Sequence, residues 1–345
     1  VFLRHLRALA AAVLGALAFV GASPVQAQPL RDVLLVTDTR LNRVVALDRF
    51  DGSIVNPSFI RGSMGGPFNL LTPRAAIQVG QQIWVSDQSP STNGIWRFDL
   101  AGNFLGLIGG NVPNGGLSNV RGMRVIDGVV HVVNAGTTNG APGPAIVRLD
   151  FAGNVIGSFS TSVNPNVGGS PWDIIRFGDR YLVSDGTSRG LQLFNLDGSY
   201  FGALTGAVNS TPQQMALLAN GNLLLAAQGS TPTNSFGTYE IAPDGSVVRS
   251  WAGTPALGTR GVHQLGNGRF LISEAGGAST TRGLGTIDPN GPAGPQNFQL
   301  IEGLWNGGWI GEARIAATVV PEPSTLALLA SGLAGLALAR RRRRG

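Results

Sequence analysis

The chain has 345 residues, of which 13% are charged and 51 are Gly, with no Cys. So little charge excludes a charge-rich disordered chain, glycine without a Gly-X-Y period points to many tight turns, and the missing Cys removes disulfides, thiol nucleophiles and thiolate metal sites. Every basic residue is Arg, and between residues 28 and 320 Arg and acidic residues are equal in number, so the net charge of +6 resides in the ends and the broad basic surface of a nucleic-acid binder is excluded.

Residues 1–27 read as a signal peptide. Arg4 and Arg7 give a positive start, and Ala8 to Val20 is an apolar helix too short to span a bilayer. Val25-Gln26-Ala27 supplies the small-residue cleavage pattern, with Gln28 as the first mature residue.

From residue 28 to 316 one unit repeats six times. Each unit is an apolar strand ending in a polar residue, a loop, a second strand, and a turn. The first has Leu34 to Asp38, Val44 to Asp48 and Asp51-Gly52. The second has Ile83 to Asp87, Ile95 to Asp99 and Ala101-Gly102-Asn103. The strand-end markers Asp38, Asp87, Asn134, Asp185, Gln228 and Glu274 lie 43 to 51 residues apart. That is the length of a four-stranded propeller blade, and Asp-Gly and Gly-Asn suit hairpin turns because both tolerate positive φ. The pattern predicts an all-β, six-bladed β-propeller with few helices.

A second feature keeps the same beat. A short turn precedes each apolar segment at Pro73-Arg74, Val120-Arg121, Pro171-Trp172, Pro212-Gln213, Thr259-Arg260 and Gly308-Trp309. The last follows the sixth marker, and the first unit has none before it. This offset predicts that residues 309–316 join the N-terminal blade and close the ring, which removes the open sheet edge.

The order Pro-x-x-apolar, strand, Val-x-Asp, strand, Phe-Asp-x-x-Gly-Asn resembles the NHL repeat, best in Pro73 to Ile77, Ile83 to Asp87 and Trp96 to Asn103. That resemblance implies that Arg74, Arg121, Trp172, Gln213, Arg260 and Trp309 ring the mouth of the central channel, with the marker residues further out on the same face. Trp faces stack on sugars and Arg forks bind carboxylate or phosphate, so the ring suits an anionic polysaccharide; equally, the six side chains fill the channel. The marker carboxylates read either as metal ligands or, since they recur in every blade, as acceptors for loop N–H groups. His131 and His263 are the only histidines of the body, too few for a three-His metal site. No cofactor or metal is assigned.

The last segment, 317–345, is a sorting tail. Pro321-Glu322-Pro323-Ser324-Thr325 precedes an apolar helix at 326–339 and the run Arg340, Arg341, Arg342, Arg343, Arg344. Fourteen apolar residues at about 1.5 Å each fall short of the ~30 Å hydrocarbon core, which suits a transient membrane anchor, and the Arg run stays cytoplasmic by the positive-inside rule. These three parts in this order resemble the PEP-CTERM sorting signal. The resemblance implies processing by an exosortase and delivery to the cell surface or extracellular matrix of a Gram-negative bacterium that makes extracellular polysaccharide.

Two classes of function remain beside a purely structural matrix component with no specific ligand. One is a non-enzymatic surface propeller that binds polysaccharide or a protein partner through its channel face. The other is an exported lactonase- or lyase-like enzyme acting on sugars, with a metal held by acids such as Asp173, Glu240, Glu274 or Glu312. The lack of Cys, Lys and a Gly-x-Ser-x-Gly elbow favours binding over catalysis.

Overall fold

The computed structural model describes residues 29–317 except 63–66, 111–115, 164–168, 189, 205–209, 230–236, 253–257, 275–282, 293–296 and 304–305. The signal helix, the sorting motif, the apolar tail helix and the Arg run fall outside the described residues. One compact unit spans Asp32–Ile315.

Strands β1 (Leu30–Asp38), β2 (Arg43–Asp48) and β3 (Ile54–Arg61) begin the first blade. The second holds β4 (Pro73–Val79), β5 (Gln82–Asp87), β6 (Gly94–Asp99) and β7 (Phe104–Gly109). The third holds β8 (Val120–Ile126), β9 (Val129–Asn134), β10 (Ala145–Leu149) and β11 (Val155–Ser160). The fourth holds β12 (Pro171–Phe177), β13 (Arg180–Asp185), β14 (Gly190–Phe194) and β15 (Tyr200–Leu204). The fifth holds β16 (Thr211–Leu217), β17 (Leu223–Gln228), β18 (Gly237–Ile241) and β19 (Val247–Ala252). The sixth holds β20 (Thr259–Gln264), β21 (Phe270–Glu274), β22 (Gly283–Ile287) and β23 (Phe298–Gly303). Finally β24 (Gly307–Ala316) returns to the first blade and lies beside β1 as its innermost strand. The molecule is thus a six-bladed β-propeller closed by its C-terminal strand, as the offset of the repeats requires.

The second strand of each blade is covered on both faces by neighbouring blades. Its sequence is therefore a continuous apolar run, such as Ile83-Trp84-Val85 or Leu223-Leu224-Leu225, with every side chain fully buried. Outermost strands meet water on one face and alternate instead, as in β7. The core accordingly lies between blades: Val33, Leu35, Ile83, Val85 and Phe98 join the first to the second, and Trp251, Phe270 and Ile272 join the fifth to the sixth.

The turns between third and fourth strands carry a recurrent geometry. Gly102 donates its N–H to Asp99 O at 3.0 Å, while Asp99 Oδ1 accepts Ala101 N at 2.9 Å and Asn103 N at 2.8 Å. Gly153 repeats this with Asp150. Gly153 sits at φ +98°, and a Cβ there would lie 2.7 Å from Ile108 Cδ1 of the preceding blade, so glycine is required twice over.

Candidate functional site

The two features that share one period in the sequence are bonded to each other. Asp87, at the end of β5, accepts Leu71 N and Thr72 N at 2.9 Å, the two amides just before Pro73-Arg74. Asn134 accepts Ser118 N at 2.6 Å, ahead of Val120-Arg121, and Asp185 accepts Ser170 N at 3.0 Å, ahead of Pro171-Trp172. Asp38 accepts Asn306 N at 3.4 Å, ahead of Trp309. Four of the six marker side chains thus hold the turn that launches an innermost strand, whereas Glu274 accepts Gly283 N at the start of β22. These groups accept loop backbone amides, which is the loop-satisfying reading of their recurrence, while Asp38 also pairs with Arg43 at 3.1 Å and Asp87 also accepts Trp96 Nε1 at 3.2 Å.

That scaffold brings the six ring residues together at one end of the channel. Trp172 on β12 and Trp309 on β24 come from opposite sides of the ring and stack with centroids 6.1 Å apart at 24°. The guanidinium of Arg121 lies 3.7 Å over the Trp172 ring. Arg121 Nη1 donates to Ser170 Oγ at 2.8 Å and Pro171 O at 2.7 Å, Arg260 Nη1 donates to Asn306 Oδ1 at 3.1 Å, and Arg74 Nε donates to Gln88 Oε1. All of these acceptors are neutral, and among the described residues no carboxylate pairs with the three guanidiniums.

Burial, then Arg260 and Arg121, pushes Arg74 down to about 9, against a small opposing pull from Asp87. Burial likewise takes Arg121 and Arg260 to about 10. All three are cationic at neutral pH, so the mouth concentrates positive charge away from water. Every ring residue also has a buried polar atom with no hydrogen-bond partner among the described residues: Arg74 Nη1, Arg121 Nε, Trp172 Nε1, both amide atoms of Gln213, Arg260 Nε and Trp309 Nε1. Except for the Gln213 oxygen, all are N–H donors. The tryptophan faces are covered by each other and by Arg121, so these two residues floor the mouth instead of offering a free stacking surface.

Beneath this floor polar side chains cross-link the inner strands. Gln214 Nε2 donates to Ile310 O at 2.6 Å, and its Oε1 accepts Val262 N and Ile310 N. Asp173 accepts Met215 N at 2.9 Å and pairs with Arg124 Nη2 at 3.0 Å. A further set escaped the sequence reading. Ser86 Oγ accepts Ala75 N and donates to Arg121 O of the next blade at 2.6 Å. Ser184 does the same between Asp173 N and Gln213 O, Ser273 reaches Gly308 O and Thr37 reaches Arg74 O. The available signal was a Ser or Thr directly before the acidic marker in four of the six units.

The acids suggested for a metal-dependent enzyme do not converge. Asp173 lies inside the channel, Glu240 on β18 accepts from Asn220 and Asn222 just before β17, Glu274 accepts Gly283 N, and Glu312 lies at the far end of the channel with Arg49. Among the described residues no cluster of three His or acidic groups forms. His131 is buried between blades, its ring 5.1 Å from Tyr181, whereas His263 lies on an innermost strand at the far end.

Residues 319–344 match the PEP-CTERM protein-sorting motif. The chain therefore carries the sorting signal of an exported protein that an exosortase recognises and that passes through a membrane-anchored intermediate. No curated protein sequence matches it. Among solved structures it resembles the nidogen/laminin complex, with TM-score 0.57 and 12% identity over 82% of this chain and 98% of that one. It also resembles a Bacteroides caccae protein of unknown function, with TM-score 0.56 and 16% identity over 81% and 98%. A catalytically inactive virginiamycin B lyase from Staphylococcus aureus with quinupristin gives 0.51 and 15% over 86% and 94%. At these identities the likeness is one of fold.

Proposed function

We propose that this exported propeller works at the cell surface or in the extracellular matrix by holding an anionic polysaccharide, or an acidic partner, at its ringed mouth. The observation that carries this reading is the convergence of Arg74, Arg121 and Arg260, three buried guanidiniums with neutral acceptors and unused N–H donors. Donors without acceptors, on cations whose hydrogen bonds go to neutral groups, match the oxygen-rich, negatively charged groups of an acidic glycan. The PEP-CTERM signal supports an extracytoplasmic address, where such polymers are found.

The test is titration of the full chain with the producing strain's acidic exopolysaccharide and with neutral dextran, at low and high salt. Binding of the acidic polymer alone, weakened by salt and by Arg74→Gln with Arg260→Gln in a folded variant, is the expected result. Equal binding by the variant, or equal binding of dextran, overturns the proposal.

A further inference from the structure

The opposite end of the channel has a different chemistry. The six innermost strands surround a cavity of about 840 Å³ there, a size typical of small-molecule sites. Its apolar wall includes Ile77, Ile175, Met215 and Ile310, one from each of four inner strands. Its charged and titratable lining is Arg49, Arg124, Arg176, His263, Asp127 and Glu312.

Arg124 is held by Asp173 and Met215 O through Nε and Nη2, while its Nη1 donates to no described residue. His263 Nε2 stands 3.7 Å from Glu312 Oε1, beyond hydrogen-bond reach. Neither imidazole nitrogen therefore has a hydrogen-bond partner among the described residues. Arg49 at the rim meets Glu312 at 3.2 Å, and Arg176 meets Asp127 at 2.9 Å.

Burial and then Arg124 and Arg49 push His263 down to about 4, so the ring is neutral at pH 7. Glu312 is half exposed and shared with Arg49, and Asp173 is occupied by Arg124. A cavity with an apolar wall beside the unused N–H donors of Arg124 and His263 suits one kind of ligand: an apolar body that ends in a single anion.

We propose that this cavity binds a small amphipathic carboxylate, its apolar body against Ile77, Ile175, Met215 and Ile310 and its carboxylate between Arg124 and His263. The site is separate from the ringed mouth and does not depend on the polysaccharide reading. A neutral imidazole can donate one N–H to the carboxylate, and Arg124 Nη1 donates a second, charge-assisted bond. An alcohol of the same length forfeits the charge-assisted bond, and an ammonium meets the field of Arg49 and Arg124.

The experiment is calorimetric titration of the full chain with octanoate, octanol and octylammonium, with the His263 ring proton followed by NMR across pH. Octanoate is expected to bind at least about tenfold more tightly than octanol, and octylammonium not at all. Bound octanoate raises the His263 titration midpoint, because a neighbouring anion favours imidazolium, and leaves His131 unmoved. Arg49→Glu, at a half-exposed position, should weaken octanoate and leave octanol and the melting temperature unchanged. No octanoate binding at millimolar concentration, equal affinity for octanoate and octanol, or an unmoved His263 midpoint in the complex overturns the proposal. The ligand series on the native chain decides the matter even if the variant fails to fold.

Discussion

Trp172 and Trp309 stand three blades apart in the ring and stack across its axis with 6.1 Å between centroids. The pair couples opposite blades directly, and Trp309 is also packed with Ala75, Ile77 and Met123 from the second and third blades. Trp309→Ala should cost about 3–5 kcal/mol, the range for removing a large aromatic from a core. Denaturant unfolding monitored by circular dichroism measures this. A loss below about 1 kcal/mol would show that the channel repacks around the gap.

Removing a charge at the mouth should act in the opposite direction. Arg74 is largely buried beside Arg260 and Arg121, and its nearest acceptor is a neutral amide. Arg74→Met removes a desolvated cation from two like charges, so stability should be unchanged or rise by about 1–2 kcal/mol. The same variant should bind polyanions more weakly. A variant that is strongly destabilised would assign Arg74 a structural duty instead.

The serine bridges between blades give a prediction about additivity. Ser86→Ala leaves Ala75 N and Arg121 O without their buried partner, and Ser184→Ala does the same to Asp173 N and Gln213 O. Each should cost about 1–3 kcal/mol. The two bridges span different blade interfaces, so the double variant should show the sum of the single effects. Strong coupling would mean that the ring responds as one unit.

Ring closure depends on close approach at Gly311. A Cβ there would lie 2.1 Å from Ala76 O on β4, a distance that only backbone movement can relieve. Gly311→Ala should therefore prevent β24 from seating and yield an open ring, seen as a lower melting temperature and protease cleavage near the C-terminal strand. A variant that melts like the native chain would refute the need for that contact.

His263 gives the pH dependence. Its midpoint is pushed down to about 4 by burial and by Arg124 and Arg49, whereas in an unfolded chain it titrates near ~6.5. Between those values the unfolded state binds the extra proton, so stability is full above about pH 6.5 and falls as pH drops toward 4. His263→Gln removes this contribution. The stability difference between native and variant chains should shift by on the order of 3 kcal/mol between pH 7 and pH 4, against the native chain at acid pH. A constant difference would clear His263 of the effect.

The architecture was legible because the propeller writes its period twice. Asp87 and Asp185 mark the second strands, Arg74 and Trp172 mark the first, and hydrogen bonds from the turn before the inner strand to the marker in four blades explain why the two rhythms run together. Closure was legible from the displaced turn at Trp309. What stayed hidden arises across the ring and not along the chain. Nothing local tells that Trp172 meets Trp309, or that Gln214 reaches β24, because those partners lie 137 and 96 residues away. Ser86 and Ser184 read as ordinary strand residues until the next blade's carbonyl is placed above them. The cavity around His263 was invisible for the same reason, since its walls come two or three residues from each inner strand.

The sorting motif begins only three residues beyond β24. A tether placed there is joined to the innermost strand of the first blade, beside β1 and close against β4 and β20. Pulling it free strips it from β1, its one strand neighbour in the sheet, and opens the circle. Mechanical load on the anchored intermediate thus falls on the element whose loss would undo the whole fold, so resistance to tension and completeness of folding become one property. A chain that has not yet seated β24 would offer its tether to the membrane without a finished propeller behind it.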